Sequence, residues 1–269
     1  MRGVSAASLE SVLESVGGAT ADGADGVAVG QEVFAVVAAL DANPVLRRVL
    51  SDPATEQDAK AGLARSLFGP HVGEGALRIV VVAASARWSS ARDVADALEQ
   101  AGVQAVLGQA ERAGALETVA DELFSFSTVV TGDVELRQAL NDRTAPVDAR
   151  ADLAGRLVDG KVDAASAALA RQAAAGRHRG FEQTLSDFGS AAVEREGRLS
   201  ATVTSAYPLE TAERERLAAV LGRKYGRDVH VDVHVDPAVI GGLSVDIAGE
   251  RIDATVATKL AEARRGLVG

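Results

Sequence analysis

The segment HVDVHVD at 230–236 alternates imidazoles and carboxylates with valines. In a strand this puts His230, Asp232, His234 and Asp236 on one face, with neighbours about 6.5–7 Å apart. A His-x-Asp or His-x-x-x-His metal site is chemically conceivable at that spacing. The same alternation also arises in any strand whose other face is buried and whose polar face meets solvent. That second reading is favoured, and no metal is expected.

Other candidates reduce to structure in the same way. Gly241-Gly242 lacks the GK[ST] or GxGxxG context of a phosphate cradle, so a bulge or sharp bend after Pro237 is expected. Asp253 and Thr255 stand near the start of a last helical pattern, where a side-chain oxygen caps free N–H groups. The GRHRG run at 176–180 fits a helix C-terminus, which attracts cations. The lone Trp88 reads as a packing residue rather than a partner anchor. No GxSxG elbow and no HExxH helix occurs, and the chain has four His, one Met and no Cys. No catalytic residue, metal ligand or cofactor site is therefore expected.

The elements behind these residues are mostly helical. Of the 269 residues 47% are hydrophobic and only 3% aromatic, which favours closely packed, Ala-rich helices in two or three domains. A net charge of -10 argues against a nucleic-acid surface. The absence of cysteine excludes disulfides and thiolate metal sites. No apolar run approaches the roughly 20 residues of a membrane span, and the N-terminus lacks the apolar core of a signal peptide. A cytosolic protein is expected, with membrane association only through a partner.

An internal repeat sets the domain count. LRRVLSDPATEQDAKAGLARSL from residue 46 aligns without a gap on LRQALNDRTAPVDARADLAGRL from residue 136, an offset of 136 − 46 = 90. The Leu-Arg-x-x-Leu-x-Asp core is the informative part, because Ala-rich helices match by chance. Helical spacing marks 5–16, 29–51, 55–68, 74–86 and 89–101, punctuated by Gly17-Gly18, Asn43-Pro44, Gly69-Pro70 and Gly102. The second copy runs through 104–114, 115–131, 133–141, 146–158, 163–176 and 180–196. Asp133 and Asp163 suit N-caps, and Gly160 and Gly176 suit C-caps.

After Gly197 the period changes. Strands are expected at 199–206, around Val229–Val235 and at 239–248, with a helix at 209–225. A last helix would stack Ile252, Val256, Leu260 and Ala263. The fold class is thus α+β, predominantly α. Two tandem helical bundles (1–102 and 103–197) precede a small β-α-β-β-α domain (198–269).

The order of features resembles the delta subunit of rotary ATP synthases, the family of the oligomycin-sensitivity-conferring protein. The resemblance rests on Leu136-Arg137-x-x-Leu140, Arg177, Glu196-Gly197 and the run from Val203 to Leu209 with Pro208. It continues through Asp236-Pro237-x-x-Ile240-Gly241-Gly242 and Ile252-Asp253-x-Thr255-Val256. Ala248-Gly249 and Ala254-Thr255 depart from the commoner Gly-Asp and Gly-Ser of the family. The first bundle departs further, as an added copy of the kind associated with actinobacterial members.

The resemblance implies a non-catalytic stator subunit in the peripheral stalk of a proton-translocating ATP synthase. It would lie peripherally at the cytoplasmic face of the membrane. Its partners would be the alpha subunits, through their N-terminal helices, and the membrane-anchored b subunits. By analogy the alpha-binding groove lies between the first and fifth helices of the bundle, here containing Val106, Leu107, Ala168 and Leu169. The competing reading is a generic helical-repeat scaffold for amphipathic peptides.

Overall fold

A computed structural model describes residues 3–21, 23–239 and 241–253. Helices α1 (Val4–Ala19), α2 (Gly26–Ala42), α3 (Pro44–Ser51), α4 (Gln57–Phe68) and α5 (Glu74–Ser85) lead into the long α6 (Ala91–Arg112). Then come α7 (Leu116–Gly132), α8 (Val134–Asn141), α9 (Val147–Val158), α10 (Ala164–Ala173) and α11 (Phe181–Arg195). The offset of ninety residues holds at both ends of α2 and α7, of α3 and α8, and of α4 and α9.

Equivalent side chains do equivalent work in the two copies. Asn43 and Asp133 each accept the N–H three residues on, capping α3 and α8. Glu32 on α2 accepts the Gly73 N–H at the head of α5, and Glu122 on α7 accepts the Asp163 N–H at the head of α10. Lys60 and Arg150 are both buried and both reach the carbonyl end of the neighbouring helix, at Ala86 and Ala175. A cation there meets the free carbonyls and the negative end of the helix dipole. Burial holds the Lys60 pKa below its ordinary value of 10.5, against the opposing pull of Asp52. The expected caps are also present: Asp163 accepts from Ala165 N–H, and Gly160 and Gly176 have positive φ.

One expectation fails at the junction. Gly102 does not end a helix, and 89–101 and 104–114 are parts of the single helix α6. Its early residues, including Val94, Leu98 and Ala101, belong to the first core, while Val103, Val106 and Leu107 belong to the second. Twelve of its 22 residues are buried, because bundles flank it on both sides. Helix α2 crosses α6 closely enough that a Cβ on Gly30 would fall on Val106, and one on Gly102 would lie 2.5 Å from the Phe34 ring. Phe34 itself leaves the first copy to join the second core. Burying such a ring stabilises by roughly 2–3 kcal/mol.

The C-terminal unit holds β1 (Leu199–Ser205), α12 (Thr211–Tyr225), β2 (Val229–Val235), β3 (Leu243–Ile247) and β4 (Glu250–Asp253). The sheet order is β2-β1-β3-β4. β1 and β2 run parallel through the α12 crossover, and β3 and β4 return antiparallel. Val203 and Val245, paired across β1 and β3, join Val229, Val231 and Leu221 in a third, separate core. Strand β4 is a correction, since Ile252 and Asp253 were expected to open a helix. Ile252 instead pairs with Val245, and Asp253 with Ser244, because Ala248 and Gly249 both take positive φ and turn the chain into a tight hairpin. Val256, Leu260, Ala263 and Thr255 lie outside the described residues, as does Ile240.

Candidate functional site

The two bundles meet at a charged joint. Arg177 follows α10, and its side chain is only 9% exposed. Its guanidinium lies 2.5 Å from Asp41 on α2, 2.9 Å from Asp96 and 2.6 Å from Glu99, both on α6. Gln172 donates to the other Glu99 oxygen at 2.6 Å, Arg47 pairs with Asp41, and His178 contacts Asp96. Burial disfavours the Arg177 charge, but Asp41 and Glu99 outweigh it and raise its pKa above the ordinary value. A planar fork suits three converging carboxylates better than a point charge would. The GRHRG run therefore fastens one copy to the other instead of only closing a helix.

Beside this joint a cleft of about 650 Å³ opens between α2, α9 and α10. Phe34, Val37 and Ala38 line one wall, and Ala151, Ala168 and Ala175 the other. Of the four groove residues, Val106 and Leu107 lie on α6, the first helix of the second bundle, and Ala168 and Leu169 on α10, its fifth. All four are at most 2% exposed. Helix α2 packs on both α6 and α10, and Ala168 alone of the four lines the cleft.

The signature residues build turns at the far end of the sheet. Ser205 donates its hydroxyl to the Tyr207 carbonyl just before Pro208. The Asp236 N–H donates to the Ser205 carbonyl at 2.8 Å, and the Asp236 carboxylate accepts the Ala238 N–H across Pro237. Gly241 and Gly242 both have positive φ and deliver the chain into β3. Pro208 and Pro237 are exposed.

The polar face of β2 also departs from expectation. His230 and Asp232 are 5% and 8% exposed, because this face rests on the second bundle and not in water. His230 Nε2 lies 3.1 Å from Asp232 and 3.4 Å from Asp121 on α7. Ser200 bridges from Asp232 to Ser190 on α11. His234 and Asp236 continue toward Thr128 and Thr131 at the end of α7. Among the described residues no group of three or more His, Cys, Asp or Glu is placed to hold a metal. Trp88 is 7% exposed and donates its indole N–H to the Ala83 carbonyl, as a packing residue should.

In the sequence Arg177 stands out as part of a basic run and of the family resemblance, but not as a joint. Its acidic partners lie 78 to 136 residues away and carry no local signal. Lys60 and Arg150 stand opposite each other in the repeat alignment, but a Lys–Arg match carries no local sign that both side chains are buried.

Comparison with known proteins follows the same division of the chain. The family model described as ATP synthase delta (OSCP) subunit matches residues 103–267, the second bundle and the C-terminal unit. The chain is 45% identical to an ATP synthase subunit delta of Kineococcus radiotolerans over 251 residues, 93% of this chain and 91% of that one. It is 45% identical to one from Acidothermus cellulolyticus over 242 residues, covering 89% and 88%. With its counterpart in Thermobifida fusca it shares 40% identity over the full length of both. No helix among the described residues is long and apolar enough to cross a membrane. The chain belongs to the ATP synthase delta (OSCP) subunit family, whose members are structural, non-catalytic components of that complex.

Proposed function

We propose that this chain is the stator link that ties the alpha subunits of the catalytic head to the membrane-anchored b subunits, at the cytoplasmic face of the membrane. The observation that carries the reading is the joint between the bundles. A part that resists torque must transmit load without internal slip. Here α6 runs through both cores, and Arg177 clamps three carboxylates across the seam.

The alpha-subunit N-terminal helix is proposed to dock along the second bundle near Val106, Leu107, Ala168 and Leu169. Because α2 packs on both helices of that seam, the accessible entrance is the cleft at Ala168. Its apolar walls suit helix-in-groove binding. The C-terminal unit, with its exposed turns at Pro208 and Pro237, is proposed to meet b. The division into units 1–102, 103–197 and 198–269 is retained as a functional proposal, with α6 bridging the first two.

Chemical-shift mapping on the full chain with a peptide matching the alpha N-terminus tests the docking site. Shifts centred on Ala151, Ala168 and Ala175 are expected. Shifts confined to α1 and α5 would move the site to the first copy, and none anywhere would overturn alpha binding. Co-purification of the tagged chain with alpha and b tests the link as a whole, against a scaffold that recovers neither.

A further inference from the structure

The two joints of this chain are built differently. The bundles share a helix and an aromatic residue, whereas the sheet keeps its own core. Where the sheet meets the second bundle the named contacts are polar. Glu117 and Asp121, one turn apart on α7, face Arg198 and His230. Ser190 on α11 meets Ser200.

We propose that His230 is a proton-operated latch that seats the C-terminal sheet on α7, closed while its imidazole is charged. The geometry is a single ring nitrogen facing two carboxylates from two different units, Asp232 of its own strand and Asp121 of α7. The single Nε2–H is shared between them in either charge state, so what the added proton changes is charge. The imidazolium compensates both carboxylates, whereas a neutral ring leaves the buried Asp232 and the half-exposed Asp121 as converging like charges. Among the described residues the cation that acts on His230 is Arg198, already held by Glu117 at 3.0 Å and Glu196 at 3.3 Å, while Arg214 on α12 is engaged with the Val231 carbonyl at 3.1 Å. Seating the sheet thus brings Asp121 up to Asp232 with the His230 proton between them.

The titration runs in the required direction. The hydrogen bond to Asp232 raises the His230 pKa most, burial opposes it, Asp121 adds to the rise, and Arg198 opposes it. The net value lies above the ordinary 6.5. A group raised in this way contributes fully below pH 6.5 and loses its contribution as the pH climbs through the raised value. The seat is therefore firm in mildly acidic solution and loosens on the alkaline side.

The chain has no cysteine, so Arg143→Cys and Val220→Cys, both at exposed positions, can carry a unique dye pair on the full chain. Single-molecule energy transfer should show one narrow population at pH 6 and a broadened or shifted one at pH 9. His230→Gln should give the loosened distribution at both. Asp121→Asn changes a half-exposed residue on the helix surface and should remove the pH response while β2 stays folded by circular dichroism. An unchanged distribution from pH 6 to 9 overturns the latch. So does a pH response that survives in Asp121→Asn, since it would then arise from another group, such as His178 or His234.

Discussion

Arg177 Nε stands 2.5 Å from Asp41 Oδ2, joining the end of α10 to the end of α2 across 136 residues of sequence. Removing the guanidinium leaves Asp41, Asp96 and Glu99 converging with less compensation. Arg177→Gln should cost about 3 kcal/mol, the lower end for breaking a buried ion pair, because Asp41 is one-third exposed. Arg177→Lys should recover only part of the loss, since an ammonium does not reproduce the fork. Urea unfolding of the three proteins measures both differences.

The α2–α6 crossing depends on having no side chain at Gly102. A methyl there would lie 2.5 to 3.2 Å from three Phe34 ring atoms. Gly102→Ala should destabilise by about 1–3 kcal/mol through overpacking, despite the better helix propensity of alanine. In a Phe34→Ala background the same substitution should cost less, with a coupling above about 0.5 kcal/mol. A double-mutant cycle that shows simple additivity would refute the contact.

Lys60 and Arg150 occupy one position in the two copies, yet only Arg150 leaves a buried donor, its Nε, without a partner. Arg150→Lys should retain the bond to the Ala175 carbonyl and remove that orphan. A gain of about 1 kcal/mol is expected, within the usual cost of an unsatisfied buried donor. A loss in thermal or urea unfolding would show that the guanidinium makes contacts an ammonium cannot replace.

Unfolding should report three cores as two cooperative units. The bundles share α6 and Phe34 and should melt together, while the sheet should open separately. Trp88, buried in the first bundle, supplies the optical probe. Its fluorescence transition should coincide with loss of amide protection in α11, and protection of β1 and β3 should be lost at lower denaturant. Bundles that unfold at clearly different denaturant concentrations would contradict the shared helix.

Local pattern made much of this legible. The caps at Asp133 and Asp163 and the strand at 229–235 are short-range signals, the offset of ninety residues is one local pattern met twice, and each stands in the structure. What escaped was decided by distant packing. Gly102 looks like a break until Phe34, 68 residues earlier, accounts for it as a point of close approach. His230 and Asp232 look solvated until α7 and α11 cover them. Ile252 looks helical, and the paired positive φ of Ala248 and Gly249 commits it to a strand. The groove residues Val106, Leu107, Ala168 and Leu169 lie on the expected helices, but Ala-rich faces do not announce whether they are floor or wall.

Helix α6 also indexes rotation. It belongs to both bundles over 22 residues, a span of about 33 Å at the usual rise. Each residue added or deleted between Ala101 and Val103 would turn one bundle against the other by about 100° and shift it by about 1.5 Å. A turn of that size would carry Asp96 and Glu99 away from Arg177. The repeat length is therefore a phase setting, and even a whole added turn, which restores the rotation, would displace one bundle along the other by about 5.4 Å.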